Sequence, residues 1–487
     1  MRKYIFFPSL LLLCTLLGCQ PKSGNISHIY IIATNDTHAT IDAIPALANL
    51  AAEYEQRGEV IIVDSGDRVS GNAYVDDATE PGVPMIELMN EIGYDVVTLG
   101  NHEFDRGPGV LRRMIEVADF EVVCANVTAK NGAPQSQPYT IIETTGIEIG
   151  FAGIVETSNG GHPLGSKSAY ENFDFTEDIA TAYDICDAVA EKCDFMVLLS
   201  HIGLEGDMLL AERKAKCDWI AGGHSHDKAN REVCGIRITQ GGKNIRSVAI
   251  ADITVCEGAI LGVEYSLVDM GDRESDAVLA ERVERLKASD PALNSIEGRA
   301  TFPATKDGVA NFTISSLASY PYDGGFVPEV TFYHYGGIRI EGFEEEIKRV
   351  EILNNDPFHS TIYIGTLTTE QMRDFILKKY NSGSTEHPDK ESHYPYFRSD
   401  ATYRIILSNE PADNPDATAI EFDLREGEYR VAMCNYIAEN YIDSAIVARQ
   451  LRPTGITVRE AMFRHIRSYA PEGFTPDNEC HQREIRK

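Results

Sequence analysis

The amino-acid sequence predicts an α/β protein of two domains, and three observations carry that prediction. Short apolar runs alternate with amphipathic stretches from residue 28 to residue 270, the pattern of strands and helices stacked in layers. A polar, charged, helix-prone stretch then separates this region from a second unit. The length, 487 residues, suits two large domains or a few smaller ones at roughly 100–200 residues each.

The first region reads in order as follows. His28–Thr34 is a β-rich run, Ile44–Arg57 has helical spacing, and Val60–Val63 is a buried-strand run. Pro84–Ile92 reads as helix, Asp95–Leu99 as strand, Pro108–Val117 as helix and Glu121–Val127 as strand. Ile147–Val155 and Phe195–Leu199 are strands flanking a helix at Asp178–Lys192. Leu209–Lys216 reads as helix and Trp219–Ala221 as strand. The pattern then turns to β at Arg237–Gln240, Ser247–Val255 and Ile260–Val268. Residues 271–294 form a linker helix that breaks near Asp290-Pro291, and residues 295–487 a second α/β or α+β unit. Within it, residues 381–400 read as loop on their turn residues.

Composition narrows the function classes. Hydrophobic residues make up 43% and charged residues 24%, which is ordinary for a globular protein. Such a chain buries a sizeable core and is neither disordered, collagenous nor a multi-span membrane protein. The net charge of −31 has the wrong sign for a basic nucleic-acid groove, so no nucleic-acid polymer is expected as partner.

The N-terminus reads as an address. Arg2 and Lys3 precede an apolar run, Tyr4–Leu17, that ends in Gly18-Cys19. The run is too short to span a bilayer but fits a signal peptide. Residues 1–19 resemble a lipoprotein signal whose Cys19 carries the lipid. That implies an exported protein tethered to a bacterial cell envelope, in the periplasm or at the outer membrane. Of the ten cysteines, none sits in a CxxC pair, and most read as small buried hydrophobes.

Five polar motifs sit just past predicted strands: Asn35-Asp36-Thr37-His38, Asp64-Ser65-Gly66-Asp67, Gly100-Asn101-His102-Glu103-Phe104-Asp105, Ser200-His201, and Gly222-Gly223-His224-Ser225-His226. Ligand crevices of open α/β sheets lie beyond the carboxyl ends of the strands. Asp36 and His38 are two residues apart, as are His224 and His226. On extended chain such pairs point the same way, so each can offer two ligands to one metal. With Asp67, Asn101 and His201 they make seven nitrogen or oxygen ligands, too many for one tetrahedral ion and suited to two that share a carboxylate. Two ions about 3.5–4 Å apart clamp the attacking and leaving oxygens of a phosphoryl displacement.

These five blocks, in this order, resemble those of the calcineurin-like metallophosphoesterase superfamily, and Asn101-His102-Glu103-Phe104-Asp105 is similar to the form found in the 5′-nucleotidase family. The resemblance implies a four-layered αββα metal domain (28–270), the linker helix (271–294) and a smaller substrate-binding domain (295–487). It implies that one ion takes Asp36, His38 and His226, that the other takes Asn101, His201 and His224, and that Asp67 bridges. His102 is then a catalytic residue facing the phosphate, with Asp105 orienting it. A helix N-cap is the other reading of Asp105. The ligand chemistry suits Zn, Mn, Fe or Co alike.

In the second unit, His334-Tyr335-Gly336-Gly337-Ile338-Arg339 resembles the family's NxGGIR loop, which makes Arg339 a phosphate-gripping residue. Phe358 and Tyr436 match the two aromatics that stack on the nucleobase. The family's Asn is His334 here. Its Gly-Gly-Asp is replaced by Asn440-Tyr441-Ile442, with Asp443 one place out of register, and an arginine expected shortly before Asn311 has no counterpart. The expected activity is hydrolysis of 5′-nucleotides to nucleoside and phosphate. Nucleotide sugars or other diphosphates, 2′,3′-cyclic nucleotides and other phosphate esters stay open as substrates, as does a nucleotide-binding lipoprotein without catalysis.

Overall fold

The computed structural model describes residues 26–486 except 159, 166, 387–396 and 409–415. The signal-like segment and Cys19 lie outside the described residues.

The first domain is built on two six-stranded sheets. One runs in the order 259–269, 247–256, 26–34, 59–64, 94–98, 121–123. Its last four strands are parallel. The other runs 228–233, 236–241, 219–222, 195–201, 147–155, 139–144, with its four central strands parallel. Strands buried on both faces read as continuous apolar runs, which is why Ile29–Ala33 and Phe195–Leu199 were legible.

The sheets face each other across a dry layer. Ile31, Val63 and Val96 of one sheet meet Phe151, Val197, Leu199 and Trp219 of the other. Helices 44–55, 83–92 and 107–117 cover the outer face of the first sheet through Leu47, Met85, Met89 and Leu111. Helices 178–190 and 203–212 cover the second through Cys186, Val189 and Leu210. The layers are therefore α, β, β, α, as expected.

Two sequence-based expectations need correction. The helix expected at Leu209–Lys216 runs instead over Gly203–Glu212. It begins two residues after His201, because Gly203 N–H donates to Gly223 O (3.1 Å) and Leu204 N–H to Ser225 Oγ (3.1 Å). The loop expected at 381–400 starts late, since the helix Thr369–Glu386 continues through its first residues. Asn381 is fixed there by exchanging hydrogen bonds with the backbone of Ala417 (3.1 and 2.8 Å), a tertiary tie that overrides local turn propensity. A helix does lie within 271–294, at Ala277–Ala288. Its Leu279 and Val283 join the core beside helix Ile44–Glu55.

The second domain wraps one core around a five-stranded sheet in the order 397–399, 330–334, 428–434, 361–368, 451–457. Ala73 of the first domain is buried in that core, so the two domains are packed together next to the cleft. The eight cysteines among the described residues are all free thiols, four of them buried. No helix among the described residues is long and apolar enough to cross a membrane.

Candidate metal centre

The five motifs leave the carboxyl ends of five parallel strands, three in one sheet and two in the other. Backbone hydrogen bonds tie their loops together: Asp36 N–H to Gly66 O (3.0 Å), His38 N–H to Asp67 O (2.9 Å), and Asn244 N–H to Asp36 O (2.8 Å).

The side chains converge, but not by strand pleat. Asp36, His38, Asp67, His224 and His226 all have positive φ, between 44° and 77°. Non-glycine residues adopt that region rarely and at a cost. The expectation of extended i, i+2 pairs is therefore corrected: tight left-handed turns aim these groups, and the inter-loop hydrogen bonds hold the turns. Only glycine serves at two neighbouring positions. Gly66 has φ +93°, and a Cβ on Gly100 would stand 2.2 Å from Asp67 Oδ1.

Three sets of donor atoms each lie within 4.8 Å of one another: Asp36 with His38 and His226, Asp67 with His201 and His224, and His38 with Asp67 and His102. Asp67 thus stands between the two outer sets. His38 Nε2 and His226 Nε2 are 3.0 Å apart, and Asn101 Oδ1 is 3.0 Å from His224 Nδ1. All seven expected ligands meet here.

The centre fits cations. His38 Nδ1 is buried without a hydrogen-bond partner, and His201 Nε2 faces Asp67 Oδ2 at 3.1 Å. Burial pushes His226 down to about 4 and, with Arg339 nearby, holds His38 well below the usual imidazole range. Both rings are then neutral at pH 7, with the lone pair that coordination requires. Despite burial, the His201 and His102 charges keep the Asp67 carboxyl well below the usual carboxylate range.

His102 Nδ1 stands 2.8 Å from Asp105 Oδ2. Burial disfavours its cation, but Asp67 and Asp105 outweigh that and raise it to about 9. Asp105 does not cap the helix Gly107–Val117, which has no side-chain cap bond.

Sequence reasoning passed over Glu103, although it sits inside a quoted block. Buried, it accepts N–H bonds from Asp67 (3.0 Å), Arg68 (2.8 Å) and Gly100 (2.6 Å). It thereby locks two ligand loops to each other. Arg68, also buried, is 3.7 Å from Glu103 and 3.4 Å from Asp64. Asn35 was missed as well. Its amide donates to Asp36 Oδ2 (2.7 Å) and to Gly242 O (2.7 Å).

The second domain closes over the centre. Arg339 is near enough to feel Asp67, Asp36 and Asp105, and its guanidinium lies 5.5 Å from the Phe358 ring centroid. Phe358 stacks on His102 at 5.3 Å. Tyr436 stacks on His334 at 4.3 Å, and burial pushes His334 down to about 3. Each expected base-stacking ring thus already has a stacking partner within the protein. Both line one cavity of about 1130 Å³ that also reaches Asp67, Asn101, His102 and His224.

Residues 29–228 match the model of the calcineurin-like phosphoesterase family. That stretch is a calcineurin-like phosphoesterase domain. The chain is similar to 5′-nucleotidases and to other nucleotide phosphoesterases. The trifunctional nucleotide phosphoesterase protein YfkN of Bacillus subtilis is 25% identical over 89% of this chain and 34% of its own length. The human 5′-nucleotidase is 28% identical over 45% of this chain and 41% of its own length. The chain spans about a third of the first two curated relatives it matches. Among solved structures, a 5′-nucleotidase precursor from Thermus thermophilus shares the two-domain fold with a TM-score of 0.78 at 18% identity, over 94% of this chain and 99% of that one. A putative 5′-nucleotidase from Staphylococcus aureus does so with a TM-score of 0.71 at 15% identity, over 95% and 100%.

Proposed function

We propose that this calcineurin-like phosphoesterase hydrolyses 5′-nucleotides to nucleoside and phosphate at a site that holds two divalent ions. The convergence of seven nitrogen and oxygen donors around Asp67 carries this reading. Asp36, His38 and His226 would hold one ion and Asn101, His201 and His224 the other, with the Asp67 carboxylate available to both. Two such ions supply charge to the phosphoryl oxygens and an activated water at neutral pH.

The protein's own groups do the rest. The His102 cation faces the phosphate and stabilises charge on the leaving oxygen, and Asp105 fixes its ring. Arg339 binds the phosphate through its fork of N–H donors. Phe358 packs the rings of this site together, and Tyr436 offers a surface for the base.

Phosphate release from AMP, UDP-glucose, 2′,3′-cyclic AMP and p-nitrophenyl phosphate, with Mn²⁺ or Zn²⁺ supplied, tests the proposal. Turnover of AMP that is lost in His102→Ala supports it. Turnover of UDP-glucose or the cyclic nucleotide in preference to AMP would move the substrate class. Elemental analysis of the purified protein gives the number and identity of the ions.

The Gly18-Cys19 sequence supports a lipid-anchored position in a bacterial envelope. Membrane fractionation of the full chain against Cys19→Ala tests it: the variant is expected to leave the membrane fraction.

A further inference from the structure

Behind the histidine ligands runs a line of buried polar side chains that the proposed hydrolysis does not use. Asp207, on the helix Gly203–Glu212, has no exposed surface. Ser200 Oγ donates to its Oδ1 (2.5 Å) and Gln240 Nε2 to its Oδ2 (3.0 Å). Gln240 Oε1 accepts from Ser225 Oγ (3.0 Å), which accepts in turn from Leu204 N–H (3.1 Å). Gln240 Nε2 also reaches Gly223 O (3.3 Å). Ser200, Ser225 and Gln240 are buried as well. The line ends on the ligand loops: Ser200 precedes His201, Gly223 and Ser225 stand on either side of His224, and His226 follows.

Each direction in this line follows from the one before. Both Asp207 oxygens accept, so the N–H₂ end of Gln240 turns toward Asp207 and Gly223 O. The Gln240 oxygen must then face Ser225, whose hydroxyl donates to it and keeps its own oxygen for Leu204 N–H. The backbone is shaped to admit the carboxyl. A Cβ on Gly222 would stand 2.1 Å from Asp207 Oδ2 and 2.8 Å from Gln240 Nε2, whereas one on Gly223 would stand 3.0 Å from Asp36 Oδ2 and from His201 Nδ1. The first glycine of the pair therefore makes room for Asp207, and the second for the ligands. A buried carboxyl is costly unless its hydrogen bonds are made. This one makes them with groups that lead to His201, His224 and His226.

We propose that Asp207 is a positioning residue of the metal centre. Through Ser200 on one side, and Gln240 and Ser225 on the other, it fixes the backbone that presents His201, His224 and His226. It thereby sets how tightly the centre holds its ions. Asp207 does not line the cavity and acts through these neighbours. The inference rests on the metal-centre reading above. Groups that orient ligands from behind typically carry about 10–100-fold of metal affinity.

Co²⁺ titration of the metal-free full chain tests this, read as affinity and as the d–d absorption bands that report ligand geometry. Asp207→Ala removes the acceptor of Ser200 and Gln240. It should weaken Co²⁺ binding about tenfold or more and change the bands. Asp207→Asn keeps an oxygen for Gln240 and turns its N–H₂ to Ser200 Oγ, so it should recover most of the affinity. Ser225→Ala deletes one hydroxyl and should weaken binding in the same direction; it decides the matter if Asp207→Ala does not fold. The control is Thr239→Val. Thr239 Oγ1 accepts from Trp219 Nε1 (3.0 Å), a buried bond between the strands Trp219–Gly222 and Ile236–Gly241 that ends at the indole ring. Thr239→Val should lower the unfolding midpoint and leave Co²⁺ affinity at the native value. Native affinity and bands in Asp207→Ala, or a loss no larger than in Thr239→Val, would overturn the proposal. Should the native chain bind no Co²⁺, the metal-centre reading fails by itself. Hydrogen exchange of the metal-free proteins then decides: faster exchange of the 223–226 amides in Asp207→Ala than in Thr239→Val keeps the positioning role, and equal exchange removes it.

Discussion

Asp105 Oδ2 lies 2.8 Å from His102 Nδ1, and Ser70 Oγ donates a 2.7 Å hydrogen bond to the same carboxylate oxygen. The Asp105 carboxylate is thus fixed from a second side while it aims the His102 ring. If His102 acts on the substrate, His102→Ala should lower kcat about 10²–10⁴-fold, the usual worth of a positioned acid or base. Asp105→Asn should lower kcat in the same direction. Metal content should hold in both variants. His102 also completes a donor set with His38 and Asp67, so loss of metal from His102→Ala would make it a ligand instead. Elemental analysis beside steady-state kinetics separates the two roles.

Glu103 is the hinge pin of the site. It accepts three backbone N–H bonds from two ligand loops and sits beside the buried Arg68. Glu103→Gln turns one acceptor oxygen into a donor that faces those N–H groups and strips Arg68 of a counter-charge. Breaking one side of a buried ion pair typically costs about 3–5 kcal/mol. A chemical-denaturation midpoint that stays within error of the native value would contradict this.

The close approach at Gly100 gives a sharper test of the centre. A Cβ there would stand 2.2 Å from Asp67 Oδ1 and 2.6 Å from Asp67 N. Backbone cannot yield that much, so Gly100→Ala must displace the one carboxylate shared by two of the donor sets. Bound metal per chain should drop, with activity falling at least as far as in Asp67→Ala. Full metal loading in Gly100→Ala would show that Asp67 is not where the ions are held.

Much of this was legible in the sequence, for physical reasons. Runs such as Phe195–Leu199 are buried on both faces and must be apolar. Polar residues directly after them, such as His201 and His224, therefore stand out as ligands. What the sequence hides is non-local. The left-handed turns at Asp36 and His38 are held by Gly66 and Asp67 carbonyls from another loop. Glu103 reads as one more acid until its three N–H partners are known. The start of the helix at Gly203 depends on Gly223 and Ser225. His334 and Tyr436 find each other across 101 intervening positions of chain, so no local pattern announces their stack.

The contact least visible in the sequence joins the two domains. Asp77 Oδ2 is 2.8 Å from Arg459 Nη1, and Asp77 Oδ1 is 3.3 Å from Arg106 Nη2 and 3.0 Å from His359 Nε2. Arg459 is buried, and its remaining N–H groups donate to Asp356 O (2.6 Å) and Leu353 O (2.9 Å). Burial disfavours the Asp77 carboxylate, but His359 and the two guanidinium groups hold it well below the usual range. The sign follows from linkage: an acid depressed in the folded state stabilises it above the ordinary carboxylate pKa, about 4. That contribution is lost as pH falls from there. The closed arrangement of the domains should therefore loosen below about pH 4, and Asp77→Asn should loosen it already at pH 7. Small-angle scattering reads this directly. A larger radius of gyration for Asp77→Asn at pH 7, with no further change on acidification from pH 4 to about pH 3, where the native protein expands, is the expected result. An unchanged radius, with an unchanged unfolding midpoint, would show that the other contacts between the domains, such as buried Ala73 and its N–H bond to Asn354, hold them together without Asp77.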